Sequence, residues 1–194
     1  MKRSLLLIFA SSLCMQIWSQ DFNPLQKGNF LIGGSLSWFY EKTENLDFNY
    51  TYELDIHPSV GYFFFDRFAV GFAPTTSVQW SRNNVKNKFD QKTNLNISPT
   101  FRYYVWKNLF LSFEPGYLVG HFESGRVDSK TKGYSLNQGI GYDLFVKNGI
   151  AIELGYYYYY SKENVDAIYE EVFPFVTDLV KNRFKLNIGI QVIL

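Results

Sequence analysis

Two histidines are the only side chains of this 194-residue chain with an unperturbed pKa near neutrality, and each sits beside a hydroxyl. His57 lies in IHPS, with Ser59 two residues on. His121 lies in HFES, followed by Glu123 and Ser124. A histidine beside a hydroxyl and a carboxylate can act as base, nucleophile and orienter, provided the fold brings the three within hydrogen-bond reach. A second set is larger: Glu53, Asp55, Arg102, Glu114, Asp143, Glu153 and Lys185, together with His57. Charges of both signs gathered in one place form either a proton or ion path or a network that closes on itself. Metal and cofactor chemistry finds no support. Cys14 is the single cysteine, and no ligand spacing, phosphate-cradling loop or dinucleotide fingerprint occurs.

Which of these residues meet depends on the elements that carry them. Successive side chains of a strand face opposite sides. From Phe48 to Phe64 the even residues are Phe, Tyr, Tyr, Leu, Ile, Pro, Val, Tyr and Phe; the odd ones include Glu53, Asp55, His57, Ser59 and Gly61. The same parity holds from Phe68 to Trp80 and from Phe184 to Leu194. One face is bulky and apolar. The other is small, polar or charged, and carries the whole ionic set. A soluble barrel would turn the bulky face inward and cover its outer face with Lys and Glu. The Gly, Ser, Ala, Asn and Thr found here suit a crowded interior instead. The inverted arrangement, apolar outside and polar inside, is that of a transmembrane β-barrel.

Tight turns centre near Asp66, Lys107 and Asn148, with a constant spacing of 41 residues. Ile56, Pro58, Tyr62, Phe72 and Pro74 recur as Ile97, Pro99, Tyr103, Phe113 and Pro115. A period of this length marks a repeated supersecondary unit. Three hairpins, one strand before them (Gly28 to Tyr40) and one after (RFKLNIGIQVIL) make eight strands. The expected fold is all-β, an eight-stranded antiparallel up-and-down transmembrane β-barrel. Polar links near Glu41–Leu46, Ser81–Lys92, Glu123–Lys132 and Ser161–Lys181 alternate with the tight turns, as extracellular loops alternate with periplasmic turns.

Aromatic residues make up 20% of the chain, and their outward positions fall in two belts. Trp38, Tyr40, Tyr50, Tyr52, Trp80, Tyr158 and Tyr160 lie toward the long links. Tyr62, Phe64, Phe68, Tyr103 and Tyr142 lie toward the turns. Amphipathic rings favour the headgroup level of a bilayer. The prolines are outward too. Partners about the turns place Pro58 opposite Pro74 and Pro99 opposite Pro115, which predicts a weakened or bulged ladder, since proline donates no hydrogen bond.

The N-terminus reads as a secretory signal over residues 1–20, with Lys2 and Arg3 before an apolar run and Ser19 at the cut, leaving 21–194 as one barrel domain. Losing Lys2 and Arg3 takes the formal charge from +1 to −1, which offers nothing to nucleic acid. The motifs PSVGY (Pro58–Tyr62) and PTFRY (Pro99–Tyr103), each followed by a short turn and an apolar strand, resemble the small outer-membrane β-barrel proteins of Gram-negative bacteria, the OmpA/OmpX-like barrel domain family. The resemblance spans essentially the whole mature chain. It implies residence in the outer membrane among its lipids and lipopolysaccharide, insertion by the barrel assembly machinery, and roles in adhesion, resistance to host defence or envelope integrity. Such barrels usually end in an aromatic residue; this chain ends in Leu194.

The site readings follow from that frame. An eight-stranded barrel is just wide enough for side chains to fill. Inward Phe39, Phe63, Tyr104, Trp106, Phe110, Phe145, Tyr157 and Tyr159 would fill it, and Arg102 and Lys185 would pair with carboxylates among Glu53, Asp55, Glu114 and Glu153. A sealed, non-enzymatic barrel acting through its loops is therefore expected. Two alternatives stand beside it: a lipid-modifying enzyme using His121 at the rim, on a substrate of the lipid A type, and a small-solute channel. Extracellular ligands have two candidate loops. Loop 81–92 carries Arg82, Lys86, Lys88 and Lys92, suited to lipopolysaccharide phosphates, or else is simply a solvated loop whose ion contacts salt would screen. Loop 161–181 has apolar residues at helical spacing interrupted by Pro174, suited to an amphipathic cap, or else merely extends the last two strands.

Overall fold

The computed structural model describes residues 23–43, 49–83, 88–124, 127–147, 149–166 and 178–194. The expected signal peptide lies outside the described residues, as do the centres of the four polar links, including the helically spaced stretch 167–177. Among the described residues the chain forms ten strand segments: β1 (Phe30–Thr43), β2 (Asn49–Phe65), β3 (Phe68–Phe72), β4 (Thr75–Asn83), β5 (Lys88–Ile97), β6 (Pro99–Trp106), β7 (Leu109–Ser124), β8 (Val127–Lys147), β9 (Ile150–Asp166) and β10 (Asp178–Ile193). All pairings are antiparallel, and β1 pairs with both β2 and β10, so the sheet closes on itself. Closure leaves no free sheet edge where it is complete.

Ten segments make eight strands because two are broken. β2 pairs with β3 from Val60–Phe72 downward and with β4 from Ile56–Thr76 upward, in one continuous register. Three steps are missing, centred on Pro58 opposite Pro74. In the same way β7 pairs with β5 up to Ile97–Tyr117 and with β6 from Phe101–Phe113, and the three missing steps centre on Pro99 opposite Pro115. The interruption predicted from proline chemistry is present, and it is a gap. Only the strands carrying Pro74 and Pro99 are split. Those carrying Pro58 and Pro115 run through, because each keeps its other neighbour: Gly34 pairs with Pro58, and Pro115 with Leu136. One direct bond spans the break, from the Ala73 N–H to the Ser98 carbonyl at 2.8 Å.

The 41-residue repeat has a backbone cause. Each tight turn is preceded by a register shift, between Phe63 and Phe65, Tyr104 and Trp106, and Phe145 and Lys147. The extra residues are therefore Phe64, Val105 and Val146, one repeat apart. The turns carry positive φ at Arg67 (67°), Lys107 (40°) and Gly149 (74°). The bulge also corrects one assignment. Strict alternation places Trp106 inside, but past the shift its side chain is 65% exposed.

The polar links are shorter than the sequence suggests. Strand pairing continues to Thr43–Asn49, Asn83–Lys88, Ser124–Val127 and Asp178–Asn164. Lys92, assigned from sequence to a solvated loop, lies on β5 and is buried in the lumen. It cannot meet external phosphates.

The outer face is apolar and open: Leu36, Ile56, Val60, Leu111, Ile140, Leu154, Ile188 and Ile190 are all exposed. Of the outward aromatic positions expected to form belts, Trp38, Tyr52, Tyr62, Phe64, Phe68, Tyr103, Tyr142, Tyr158 and Tyr160 each adjoin a buried residue on their strands, whereas Trp80 is half-buried between half-buried neighbours. The main apolar cluster of the interior lies at the turn end, where Leu25, Leu31, Phe63, Ala69, Tyr104, Phe110, Tyr157 and Ile193 pack together, with Phe145 against them. Leu25 comes from the segment before β1, which folds across the mouth. Arg67 N–H donates to the Leu25 carbonyl at 2.7 Å and Lys27 N–H to Asp66 Oδ1 at 2.8 Å.

Candidate functional site

The site is the lumen above that apolar floor. Its ionic residues arrive from six strands: Glu53, Asp55 and His57 on β2, Arg102 on β6, Glu114 on β7, Asp143 on β8, Glu153 on β9 and Lys185 on β10. Every one is buried. Buried charges need partners, because an unpaired one costs several kcal/mol.

The lowest layer centres on Arg102. Its Nη2 lies 2.8 Å from Glu153 Oε2, and its Nη1 3.8 Å from Asp143 Oδ2. Glu153 also accepts from the Tyr157 hydroxyl at 3.0 Å and from Gln191 Nε2 at 2.6 Å, and Asp143 accepts from the Tyr104 hydroxyl. The Arg102 guanidinium sits 4.0 Å above the Phe110 ring. The large rings fit because the wall beneath them is glycine. A Cβ at Gly141 would lie 2.2 Å from the Phe110 ring, and one at Gly155 2.2 Å from the Tyr157 ring.

The middle layer is mostly neutral. Glu114 accepts from Asn137 Nδ2 at 2.7 Å and Thr100 Oγ1 at 3.3 Å, and lies 3.5 Å from His57 Nε2. Glu114 thus pairs with His57 rather than with either expected cation. Ser35 Oγ lies 3.5 Å from His57 Nδ1. A serine, a histidine and a glutamate therefore stand in series, with Ser35 in the place sequence reasoning gave to Ser59. The adjoining cavity is about 20 Å³ and lined by Asp55, His57, Asn96, Tyr159 and Lys185 among others. That volume holds about one water molecule.

The upper layer holds Lys185, which bonds Asp55 and lies 3.8 Å from Glu53. Ser37 Oγ donates to Asp55 at 2.9 Å. Four ionic residues here were absent from the sequence-derived set. Arg183 forks onto Glu53, with one bond at 2.6 Å. Lys92 pairs with Glu163 across the lumen. Lys181 donates to Gln79 at 2.8 Å and lies 4.0 Å from Glu53. All four share the inward parity of their strands. Carrying the alternation past the expected strand ends would have found Lys92, Glu163 and Lys181, and Arg183 already lay on the inward parity of the expected last strand.

His121 stands exposed on the outer side of β7, with Thr93 and Lys130 as its backbone partners. Glu123 and Ser124 continue the strand toward the loop end, and their side chains lie outside the described residues. Among the described residues no cluster of three or more His, Cys, Asp or Glu is placed to hold a metal ion.

No family model matches the chain, and no curated protein matches it in sequence. Among solved structures it is similar to the outer membrane protein AlkL, determined in DMPC lipid bilayers, with a TM-score of 0.55 and 10% identity over 91% of this chain and 95% of that one. It is similar as well to the outer membrane protein OprG of Pseudomonas aeruginosa, with a TM-score of 0.51 and 10% identity over 87% of this chain and 97% of that one. At such identity the likeness is one of fold, and the chain has the closed antiparallel barrel fold of these outer-membrane proteins.

Proposed function

We propose that this chain is an integral outer-membrane β-barrel whose lumen is sealed, and which serves the cell envelope structurally or by binding at its loop end, without catalysis. In this reading a signal peptide exports it, the barrel assembly machinery of a Gram-negative cell inserts it, and outer-membrane lipids and lipopolysaccharide surround it. It is of the OmpA/OmpX-like kind. The observation that carries the reading is the division of the wall: ion-paired, buried side chains inside and a continuous exposed apolar surface outside. In water the outer face would be an aggregation hazard. In acyl chains it is the solvent-matched surface, and the inner network is what an eight-stranded barrel needs to fill itself.

The apolar floor and the cross-lumen pairs stand in the path of any ion, which favours a plug over a channel. Planar-bilayer recording of the refolded mature chain tests this. The expected trace lacks long-lived conductance steps; large, stable single-channel currents would overturn the sealed reading. Catalysis at His121 is tested separately. His121→Ala should leave lipid A acylation in expressing cells unchanged, and a loss of an acylated species would restore the enzyme reading.

A further inference from the structure

Seven backbone pairs join β1 to β10, from Leu31–Ile193 to Ser37–Asn187. There the pairing stops, although neither strand does. β1 continues to Thr43, still paired with β2, and β10 extends up to Asp178, still paired with β9. The ring is therefore closed at the turn end of this seam and split at its loop end. Phe30 and Leu194 exchange both their backbone bonds. By antiparallel alternation, the N–H and C=O of even residues on β1 point toward β10. Those of Tyr40 and Phe184 thus aim into the split, with no ladder partner across it among the described residues. In the hydrocarbon of a bilayer such groups are costly.

The surroundings of the split are specific. Outside it, Trp38 and Tyr40 on one bank face Phe184 and Leu186 on the other, all exposed. Behind it stands Arg183, its guanidinium 5.0 Å from the Phe39 ring and 5.3 Å from the Tyr159 ring. Arg183 Nε is buried without a hydrogen-bond partner. Among the described residues, Lys92, Lys181, Arg183 and Lys185 face Glu53, Asp55 and Glu163, so four cations meet three carboxylates. The excess charge is positive.

We propose that the split seam docks an anionic lipid, its phosphate held between the Arg183 side and the free backbone N–H groups, and its acyl chain laid along Trp38, Tyr40, Phe184 and Leu186. Apolar banks outside a cationic floor match the two ends of such an amphiphile, and charge-assisted bonds to phosphate are the strong ones. The site rests on the membrane reading above and names one partner within it.

Native mass spectrometry of the full mature chain in detergent, with dioleoylphosphatidylglycerol against dioleoylphosphatidylcholine, tests the proposal. The anionic lipid should be retained about tenfold better, with the preference lost in Arg183→Gln and largely kept in Arg183→Lys, since the charge and its phosphate bonds decide it. Equal retention of the two lipids, or a preference unchanged in Arg183→Gln, would overturn it. So would displacement of the lipid by millimolar inorganic phosphate, which would mark a free-anion site, or a dimer signal that Arg183→Gln abolishes. Should Arg183→Gln give no folded band, Arg183→Lys is compared with wild type in its place, and equal lipid binding by that variant with no selectivity in either protein overturns the proposal. Heat-modifiable gel mobility after refolding into phosphatidylcholine vesicles separates the two readings. A chain that never inserts refutes the membrane assignment, whereas one that inserts without lipid selectivity refutes only this site.

Discussion

Arg102 on β6 reaches across the lumen to Glu153 on β9, Nη2 to Oε2 at 2.8 Å, and so ties together two strands that are not neighbours in the ring. Both side chains are nearly inaccessible. Replacing Arg102 by methionine keeps much of the stem but leaves Glu153 and Asp143 without their cation. Breaking a buried pair from one side costs about 3–5 kcal/mol. Arg102→Met should lose that much in urea unfolding from detergent or vesicles, and adding Glu153→Gln should recover part of it. No loss in the single variant would show that the pair is solvated and the lumen wet.

The glycine wall gives a second, sterically defined test. Phe110 is wholly buried, so it cannot swing away from a methyl placed at Gly141. Overpacking of this kind costs about 1–3 kcal/mol. Gly141→Ala should destabilise the barrel by that amount, and Phe110→Leu in the same chain should relieve some of it, giving a coupling energy in a double-mutant cycle. Strict additivity would mean that the ring does not rest on that glycine.

Much of this arrangement was legible beforehand because period-two alternation survives wherever the pleat is regular. Glu53, Asp55, His57, Arg102, Glu114, Asp143, Glu153 and Lys185 all fall inside on parity alone. Two physical effects defeated the rest. At Trp106 a bulge adds a residue and reverses the facing, which composition does not announce. At Lys92, Glu163 and Lys181 the strands run on past the expected ends, so the segments read as loops, whereas Arg183 opens the expected last strand on its inward parity. The Arg102–Glu153 partnership was among those expected, but Glu114 took His57 instead. Parity fixes a face and leaves the partner to the stagger between strands.

The proline gaps predict where the wall opens first. Residues 73–75 and 97–99 have lost ladder bonds, while the neighbouring segments 77–80 and 92–95 are fully paired. Amides in weakly bonded stretches open at lower free energy. Hydrogen–deuterium exchange in vesicles should show faster uptake in peptides covering the two gaps than in those flanking segments. Uniform protection along β4 and β5 would mean that Ala73–Ser98 and its surroundings seal the break as well as a ladder does.

The orientation of the whole wall can be tested at one residue. Ile188 on β10 is exposed, paired with Leu154, and lies between residues whose inward neighbours, Asn187 and Gly189, are buried. On a water-facing surface, Ile188→Arg would change stability by no more than about 0.5 kcal/mol, as most surface substitutions do. Facing acyl chains near the bilayer midplane, arginine costs about 2–4 kcal/mol. Unfolding in phosphatidylcholine vesicles should therefore show the larger loss, and Lys181→Arg, a change at the loop end that preserves charge, should show little. A neutral Ile188→Arg would place that face in water, and with it the apolar surface on which the membrane reading stands.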